Sequence, residues 1–176
     1  MAKFITYRFC PFCKGNLKNS PEFYSCPDCK RIIYKNSKPT GSILVIEKDK
    51  MLLGKRSENP FKGCWDVLGG FLKNGEPPET GALRETKEEA GIDVEILDLL
   101  GVYMDIYIFN NEEHKTINFH YVAKLKGQKP TAGSDMGKLK WFPIDKPPKN
   151  LGFAQSVEAI HALQKWVEKN KNRGLW

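Results

Sequence analysis

The hydrophobic positions of this chain change period several times, and each change predicts an element. The apolar run at 43–46 opens a strand, the charged pair Lys48 and Asp49 turns the chain, and Met51, Leu52 and Leu53 form a second arm that ends in Lys55 and Arg56. Residues 94–102, 103–109, 117–125 and 139–142 read as further strands, and the polar stretch 110–114 as the loop of a hairpin. Helical spacing appears twice. Leu83, Thr86 and Ala90 share one side of a segment that starts near Pro77 and Pro78 and stops at Gly91, and Val157, Ile160, Leu163 and Val167 mark a last amphipathic helix. Strands flanked by two helices predict an α/β fold with a mixed sheet between the helices.

Ahead of these elements the apolar pattern gives way to lysine, asparagine and proline at Tyr34-Lys35-Asn36-Ser37-Lys38-Pro39, which divides the chain into residues 1–36 and 37–176. The small segment carries two cysteine knuckles, Cys10-Pro-Phe-Cys13 and Cys26-Pro-Asp-Cys29, separated by twelve residues. Four thiolates at that spacing, Cys10, Cys13, Cys26 and Cys29, predict a tetrahedral zinc site. The alternative is two disulfides. No apolar signal segment precedes the knuckles, so a reducing cytoplasm is the expected location. A ribbon of about 35 residues buries too little core to fold alone, and the metal supplies the missing folding energy. Four cysteine ligands leave no position for water, which makes this zinc structural. Cys64 is then an unreactive free thiol.

The helix that ends at Gly91 belongs to a longer pattern: Gly70-Phe-Leu-Lys-Asn-Gly75-Glu76-Pro-Pro-Glu79-Thr-Gly81-Ala-Leu-Arg84-Glu85-Thr86-Lys-Glu88-Glu89-Ala-Gly91-Ile92. At about 100° per residue, Glu85, Glu88 and Glu89 fall within roughly one 100° sector, so three carboxylates are expected to converge. Like charges so placed destabilise a helix unless a cation sits among them, and hard oxygen ligands suit magnesium or manganese. The opposite sector, with Leu83, Thr86 and Ala90, is expected to pack on the sheet. Pro77, Pro78 and Glu79 suit a first helical turn. Arg84 points about 90° away from the carboxylate centre, so it is expected to brace Glu88 or the loop, while Glu76 ties the loop back to the helix.

This pattern is the signature of the Nudix box, and the sequence resembles that family at every fixed position, with Thr86 where an aliphatic residue is more frequent. The resemblance implies the α/β/α Nudix fold and a magnesium-dependent hydrolase of a nucleoside diphosphate linked to another group. It implies magnesium or manganese held by the Gly70 carbonyl with Glu85, Glu88 and Glu89, and it groups Arg84 with the catalytic residues. The expected mechanism is in-line attack of water on one phosphorus, with a carboxylate taking its proton: Glu85 or Glu89, with Glu112, Glu113 and Asp135 as outside candidates. Beyond the box, the ribbon, the 34–39 segment, Trp141-Phe142-Pro143 and Gly152-Phe153-Ala154-Gln155-Ser156 are similar to the zinc-ribbon branch that includes ADP-ribose and FAD pyrophosphatases. The NADH pyrophosphatases are the runner-up; their Ser-Gln-Pro-Trp-type motif does not follow the box here. An RNA-cap hydrolase is a further alternative. Two departures stand out: Asp135 is the only acid in 133–138, where relatives commonly carry glutamate, and Val67-Leu68 precedes Gly69-Gly70 where a proline is usual.

Composition changes the picture in one respect. The formal net charge of +7 favours a polyanionic ligand. A nucleotide-derived small molecule is the first expectation, with Arg56 pairing a phosphate and Trp65 stacking a base; each has a plain alternative, a surface cation and a core aromatic. Nucleic acid is the second, because Phe9, Phe12, Phe23 and Tyr24 lie among cations, although in so small a segment those rings are expected to form its core or its seam. This second class of function is a nucleic-acid-binding or regulatory module on a Nudix scaffold. No span is long enough for a membrane. His114, His120 and His161 have no metal-ligand spacing and are assigned no role. Many relatives pair as dimers, so the resemblance admits a homodimer.

Overall fold

The structure is a computed structural model that describes residues 3–4, 6–109, 111–133 and 136–171. The chain divides into two compact units: residues 1–38 with 106–115, and residues 39–105 with 116–176.

The first unit holds β1 (Lys3–Phe4), β2 (Lys18–Asn19), β3 (Phe23–Ser25) and β4 (Ile32–Tyr34), of which the last three form a small antiparallel sheet. Its two cysteine knuckles are built alike. The Cys10 carbonyl accepts from Lys14 N–H and the Cys26 carbonyl from Lys30 N–H, at 2.9 Å each. Lys14 and Lys30 both adopt left-handed backbone, with φ of 64° and 61°, which folds each knuckle back on itself. Among the described residues, Cys10, Tyr24 and Cys26 are the buried apolar side chains of this unit. Phe9 and Phe12 are not: they are 55% and 62% exposed. The expectation that these rings form the core is therefore wrong for both, because the cysteine cluster and Tyr24 already fill the little interior that so short a segment encloses.

The second unit is organised around β5 (Lys38–Glu47). Residues 41–46 of this strand are buried without a break, and its side chains alternate: Ile43 and Val45 enter one apolar cluster, Leu44 and Ile46 the other. A strand buried on both faces needs cover on both. One face is covered by α1 (Pro78–Ala90), which brings Ala82 and Ala90, and the other by α2 (Ala154–Asn170), which brings Ala159, Ile160 and Leu163. The expected α/β/α sandwich is thus observed. β6 (Lys50–Arg56) pairs antiparallel with β5 and carries β11 (Met136–Pro143) and the short β7 (Trp65–Asp66). β8 (Leu68–Phe71) pairs with the first half of β5, setting Gly69 opposite Ser42 and Gly70 opposite Gly41. β10 (Glu112–Leu125) lies on the other side of β5 and pairs with β9 (Val94–Phe109). The sheet is mixed, since β1 joins β10 in parallel at Glu112 and Glu113.

Three expectations change. Residues 94–102 and 103–109 are one continuous strand, because nothing between them breaks the ladder to β10. The polar stretch 112–114 is strand rather than loop, since backbone pairing with β1 secures Glu112 and Glu113 whatever their side chains prefer. Val157 is 37% exposed: the buried face of α2 runs through Ser156, Ala159, Ile160 and Leu163. Among the described residues no helix is long and apolar enough to cross a membrane.

β10 also carries a buried row of polar side chains, Thr116, Asn118 and His120. Thr40 donates to Asn118 Oδ1 at 2.7 Å, and Asn118 Nδ2 donates to the Tyr103 carbonyl and to Thr116 Oγ1. His120 Nε2 is hydrogen-bonded to Gln155 at the start of α2, and its Nδ1 has no partner. Burial holds the imidazole neutral and lowers its pKa from 6.5 to about 4, against the opposing pull of the Gln155 contact. The unfolded chain therefore binds the proton more readily between those values, and stability falls as pH drops through 6.5 and levels off below about 4. The loss is on the order of 3 kcal/mol. Urea unfolding at pH 7.5 and pH 4.5 should show it, and His120→Asn should flatten that difference; an unchanged difference in the variant would assign the pH dependence to other groups.

Candidate active site

Helix α1 begins after Pro77 in extended backbone, with Pro78 inside its first turn, where a missing donor costs nothing. It ends at Gly91, whose φ of 67° is left-handed and whose N–H bonds the Lys87 carbonyl at 3.0 Å. The buried residues of the helix are Gly81, Ala82, Thr86, Glu89 and Ala90, while Leu83 is 38% exposed. This corrects the expected division into an acidic side and an apolar side. The face toward the sheet is centred on Ala82, Thr86 and Glu89, so Glu89 is packed beneath the helix and Leu83 falls outside the contact.

The three carboxylates accordingly occupy three environments. Glu89 is buried and its Oε2 accepts the Gly69 N–H at 2.8 Å. The Glu85 side chain is 17% exposed and Glu88 is 49% exposed. Their oxygens do not gather as tightly as the thiols do: among the described residues, the cysteines form the one group of three or more potential ligands within 4.8 Å of one another. Glu89 is turned to the Gly69 N–H, while Glu85 and Glu88 are held by Arg84. Its Nη1 donates to Glu85 Oε1 at 2.7 Å and to Glu88 Oε2 at 3.1 Å. Its Nε and Nη2 grip both oxygens of Glu76 at 2.8 Å, and Nη2 also donates to the Phe71 carbonyl at 3.2 Å. The guanidinium has five donors and all are engaged, so Arg84 positions carboxylates and loop together. The Arg84 bonds thus tie Glu76 and its loop to the helix as expected, and Lys73 N–H, donating to Glu76 Oε2 at 2.8 Å, closes the loop on itself. Arg84 and the Lys73 amide hold the Glu76 carboxyl down at about 2.

Gly70 lies directly against this cluster. A β-carbon there would stand 2.7 Å from the Glu85 carboxyl carbon and 2.8 Å from each of its oxygens, so only glycine leaves room for that carboxylate beside the backbone. The Gly70 backbone lies beside Glu85, and Glu88 and Glu89 follow on the same helix, so the hard oxygen donors available here are the Gly70 carbonyl and three carboxylates, one of which, Glu89, is held by the Gly69 N–H. The donor set fits a divalent cation of the magnesium or manganese kind.

Arg56 and Trp65 have contacts of their own. Arg56 is mostly buried, donating from Nε to the Pro60 carbonyl at 2.7 Å and from Nη1 to Asp66 at 3.3 Å, and its guanidinium lies 5.2 Å from the Phe153 ring centre. Trp65 packs against the α2-side cluster and meets Phe142 edge-on at 4.8 Å. Glu112 and Glu113 belong to the first unit and Asp135 lies outside the described residues. Asp66 escaped the sequence reading. It is buried and accepts from Ser156 Oγ at 2.7 Å, from Val67 N–H at 2.9 Å and from Arg56, and desolvation raises its pKa against those contacts. A lone aspartate between apolar residues gives no periodic signal, although Ser156 lies in the quoted 152–156 motif.

In the first unit, Cys10 and Cys29 sulfurs are 3.7 Å apart and Cys13 and Cys26 sulfurs 3.4 Å. All four thiols are free and mutually within 4.8 Å. Ligands about 2.3 Å from a tetrahedral zinc ion stand about 3.8 Å from one another, so the cluster can hold zinc.

Comparison with known proteins agrees with this geometry. An ADP-ribose pyrophosphatase of Methanocaldococcus jannaschii is 38% identical over 106 residues, 60% of this chain and 62% of that protein. An NAD-capped RNA hydrolase NudC of Chromobacterium violaceum is 28% identical over 164 residues, 91% of this chain and 58% of its own length. The chain therefore spans about three fifths of the length of these two relatives. A NUDIX hydrolase from Nitrosomonas europaea superposes with a TM-score of 0.75 at 27% identity, covering 96% of this chain and 94% of that one. The NUDIX domain model matches residues 37–163, from the first residues of β5 to the middle of α2 and through the whole carboxylate cluster, and on that match the chain belongs to the NUDIX domain family.

Proposed function

We propose that this chain is a divalent-metal-dependent pyrophosphohydrolase that cleaves the diphosphate of a nucleoside diphosphate derivative, ADP-ribose or FAD first, and releases AMP. The observation that carries this reading is the arrangement of Glu85, Glu88 and Glu89 around Gly69–Gly70, clamped by an Arg84 that has no donor left for substrate. Gly70, Glu85, Glu88 and Glu89 would hold magnesium or manganese. Such a cation, when bound, neutralises diphosphate oxygens and acidifies a water. The protein's own groups do the rest. Arg84 fixes the positions of Glu85 and Glu88, and the Gly69 N–H fixes that of Glu89. Glu85 or Glu89 accepts the proton of the attacking water as its oxygen bonds to one phosphorus and the bridging P–O bond breaks, the leaving phosphate carrying away the electron pair. Arg56 and Trp65 would serve as a phosphate contact and a base contact on leaving their present contacts with Asp66 and Phe142.

The division of labour follows the chain: 1–36 is a zinc ribbon whose metal is structural, and 37–176 carries the chemistry in a reducing, cytoplasmic setting. NADH, NAD or an NAD-capped RNA is the second substrate class, supported by the relative that aligns over 91% of this chain. A non-catalytic module on the same scaffold is disfavoured by the complete set of box carboxylates. Incubation with magnesium and ADP-ribose, FAD, NADH, NAD or NAD-capped RNA should yield AMP, or a 5′-monophosphate RNA from the last, fastest from ADP-ribose or FAD. Cleavage of none of them would sink the enzyme reading; preference for the capped RNA would replace the first substrate class by the second.

A further inference from the structure

The first unit contains a cavity of about 470 Å³ whose walls include Tyr7, Tyr24, Tyr34, Lys35, Lys38 and Lys115. Tyr24 is buried and forms the floor, with Tyr7 edge-on to it at 5.5 Å. Tyr7 and Tyr34 are 55% and 66% exposed. The Lys35 ammonium sits 4.4 Å from the Tyr24 ring centre and bonds the Asn19 side chain and the Ser20 carbonyl. Among the described residues, Glu113 is the one carboxylate in the lining. The proposed zinc function explains none of this: a structural metal needs the cysteines and a small core, not exposed rings beside lysines.

Two further observations extend the surface beyond one pocket. Arg8 stands 5.3 Å from the Phe9 ring centre and Arg31 4.4 Å from that of Phe12, so both exposed phenylalanines carry a guanidinium over the ring. Nine lysines and arginines against four carboxylates lie in residues 1–38 and 106–115, a net +5 of the chain's +7. Even with the −2 of a zinc-tetrathiolate the unit remains cationic. Exposed aromatic faces interleaved with fixed cations are what successive bases and phosphates require: bases stack on rings without regard to sequence, and phosphates take the lysines and arginines. A mononucleotide would engage the pocket alone, whereas the repeated ring-and-cation pairs match a chain of nucleotides.

We propose that the first unit is a binding site for single-stranded nucleic acid, with a nucleotide in the pocket between Tyr7 and Tyr34 and the flanking strand on the Phe9 and Phe12 surface. This is independent of the reaction assigned to the second unit. The test uses the zinc-loaded full chain without magnesium and fluorescein-labelled 12-mers with 5′-hydroxyl ends, ribo- and deoxyribo-, single and duplex, read by anisotropy from 50 to 200 mM salt. Single strands should bind more tightly than duplex. Tyr34→Ala should weaken single-strand binding at least about fivefold and leave the salt slope unchanged, whereas Lys38→Ala should lower that slope by about one. Thermal unfolding monitors the fold of both variants, and Lys138→Ala on β11 serves as the control cation. The proposal is overturned if single strands do not bind, if duplex binds equally well, if millimolar AMP displaces the oligomer completely, or if the control variant loses as much as Tyr34→Ala and Lys38→Ala.

Discussion

Replacing Glu85 or Glu89 with glutamine should lower kcat by roughly 10³-fold while leaving the fold intact. The substitution is nearly isosteric. At position 89 the amide oxygen can still accept the Gly69 N–H, and at position 85 it can still accept from Arg84 Nη1. What disappears is negative charge, and with it both the affinity for a divalent cation and the capacity to take a proton. The residue acting as base should lose rate even at saturating magnesium, and the one acting only as ligand should recover part of its rate as magnesium is raised. Arg84→Lys should cost less, about 10–100-fold, because lysine supplies one cation but cannot grip Glu76 with two parallel bonds while holding Glu85 and Glu88. Its signature is a raised magnesium requirement with a smaller change in kcat at saturation. Glutamine variants at 85 and 89 that both retain normal kcat would remove the helix from the chemistry.

Removing the metal of the ribbon should unfold the first unit without abolishing the hydrolytic chemistry. Zinc held by four thiolates contributes apparent binding energies of about 10–16 kcal/mol, and a segment of this size has little else to replace it. Beyond Cys10, Cys26 and Tyr24, its larger apolar side chains among the described residues are partly or largely exposed. Elemental analysis of the wild type should find one zinc per chain. Cys26→Ser should reduce that content and make residues 1–38 sensitive to limited proteolysis, with kcat on the preferred substrate retained within severalfold. A zinc-free wild type, or a Cys26→Ser variant as protease-resistant as the parent, would refute the assignment.

The two sites differed in how far they could be read in advance. The cysteine cluster was legible almost completely, because two Cys-x-x-Cys knuckles fix four ligand atoms by local turns that tertiary contacts have only to bring face to face. The helix was legible in position and ends, through Pro78 and Gly91, but not in orientation. Periodicity placed three glutamates on one side and could not tell that the sheet covers Glu89, since burying a carboxylate needs a specific donor, the Gly69 N–H, brought by a different strand. Arg84 was expected to brace Glu88 or the loop; it does both and reaches Glu85 as well, which depends on the loop path from Phe71 to Glu76.

Features whose signals are local were legible before folding: the strand run at 43–46, the box helix, the thiolate spacing and the family to which the residues conform. Tertiary structure alone decided which polar groups are buried. His120 and Asp66 have no pattern of their own, and each acquires its environment only when β10 or β7 meets the start of α2, where Gln155 and Ser156 complete their hydrogen bonds. The same holds in reverse for Phe9 and Phe12, apolar by composition yet left in solvent. Burial is a property of what surrounds a residue, and chain segments distant in sequence supply those surroundings.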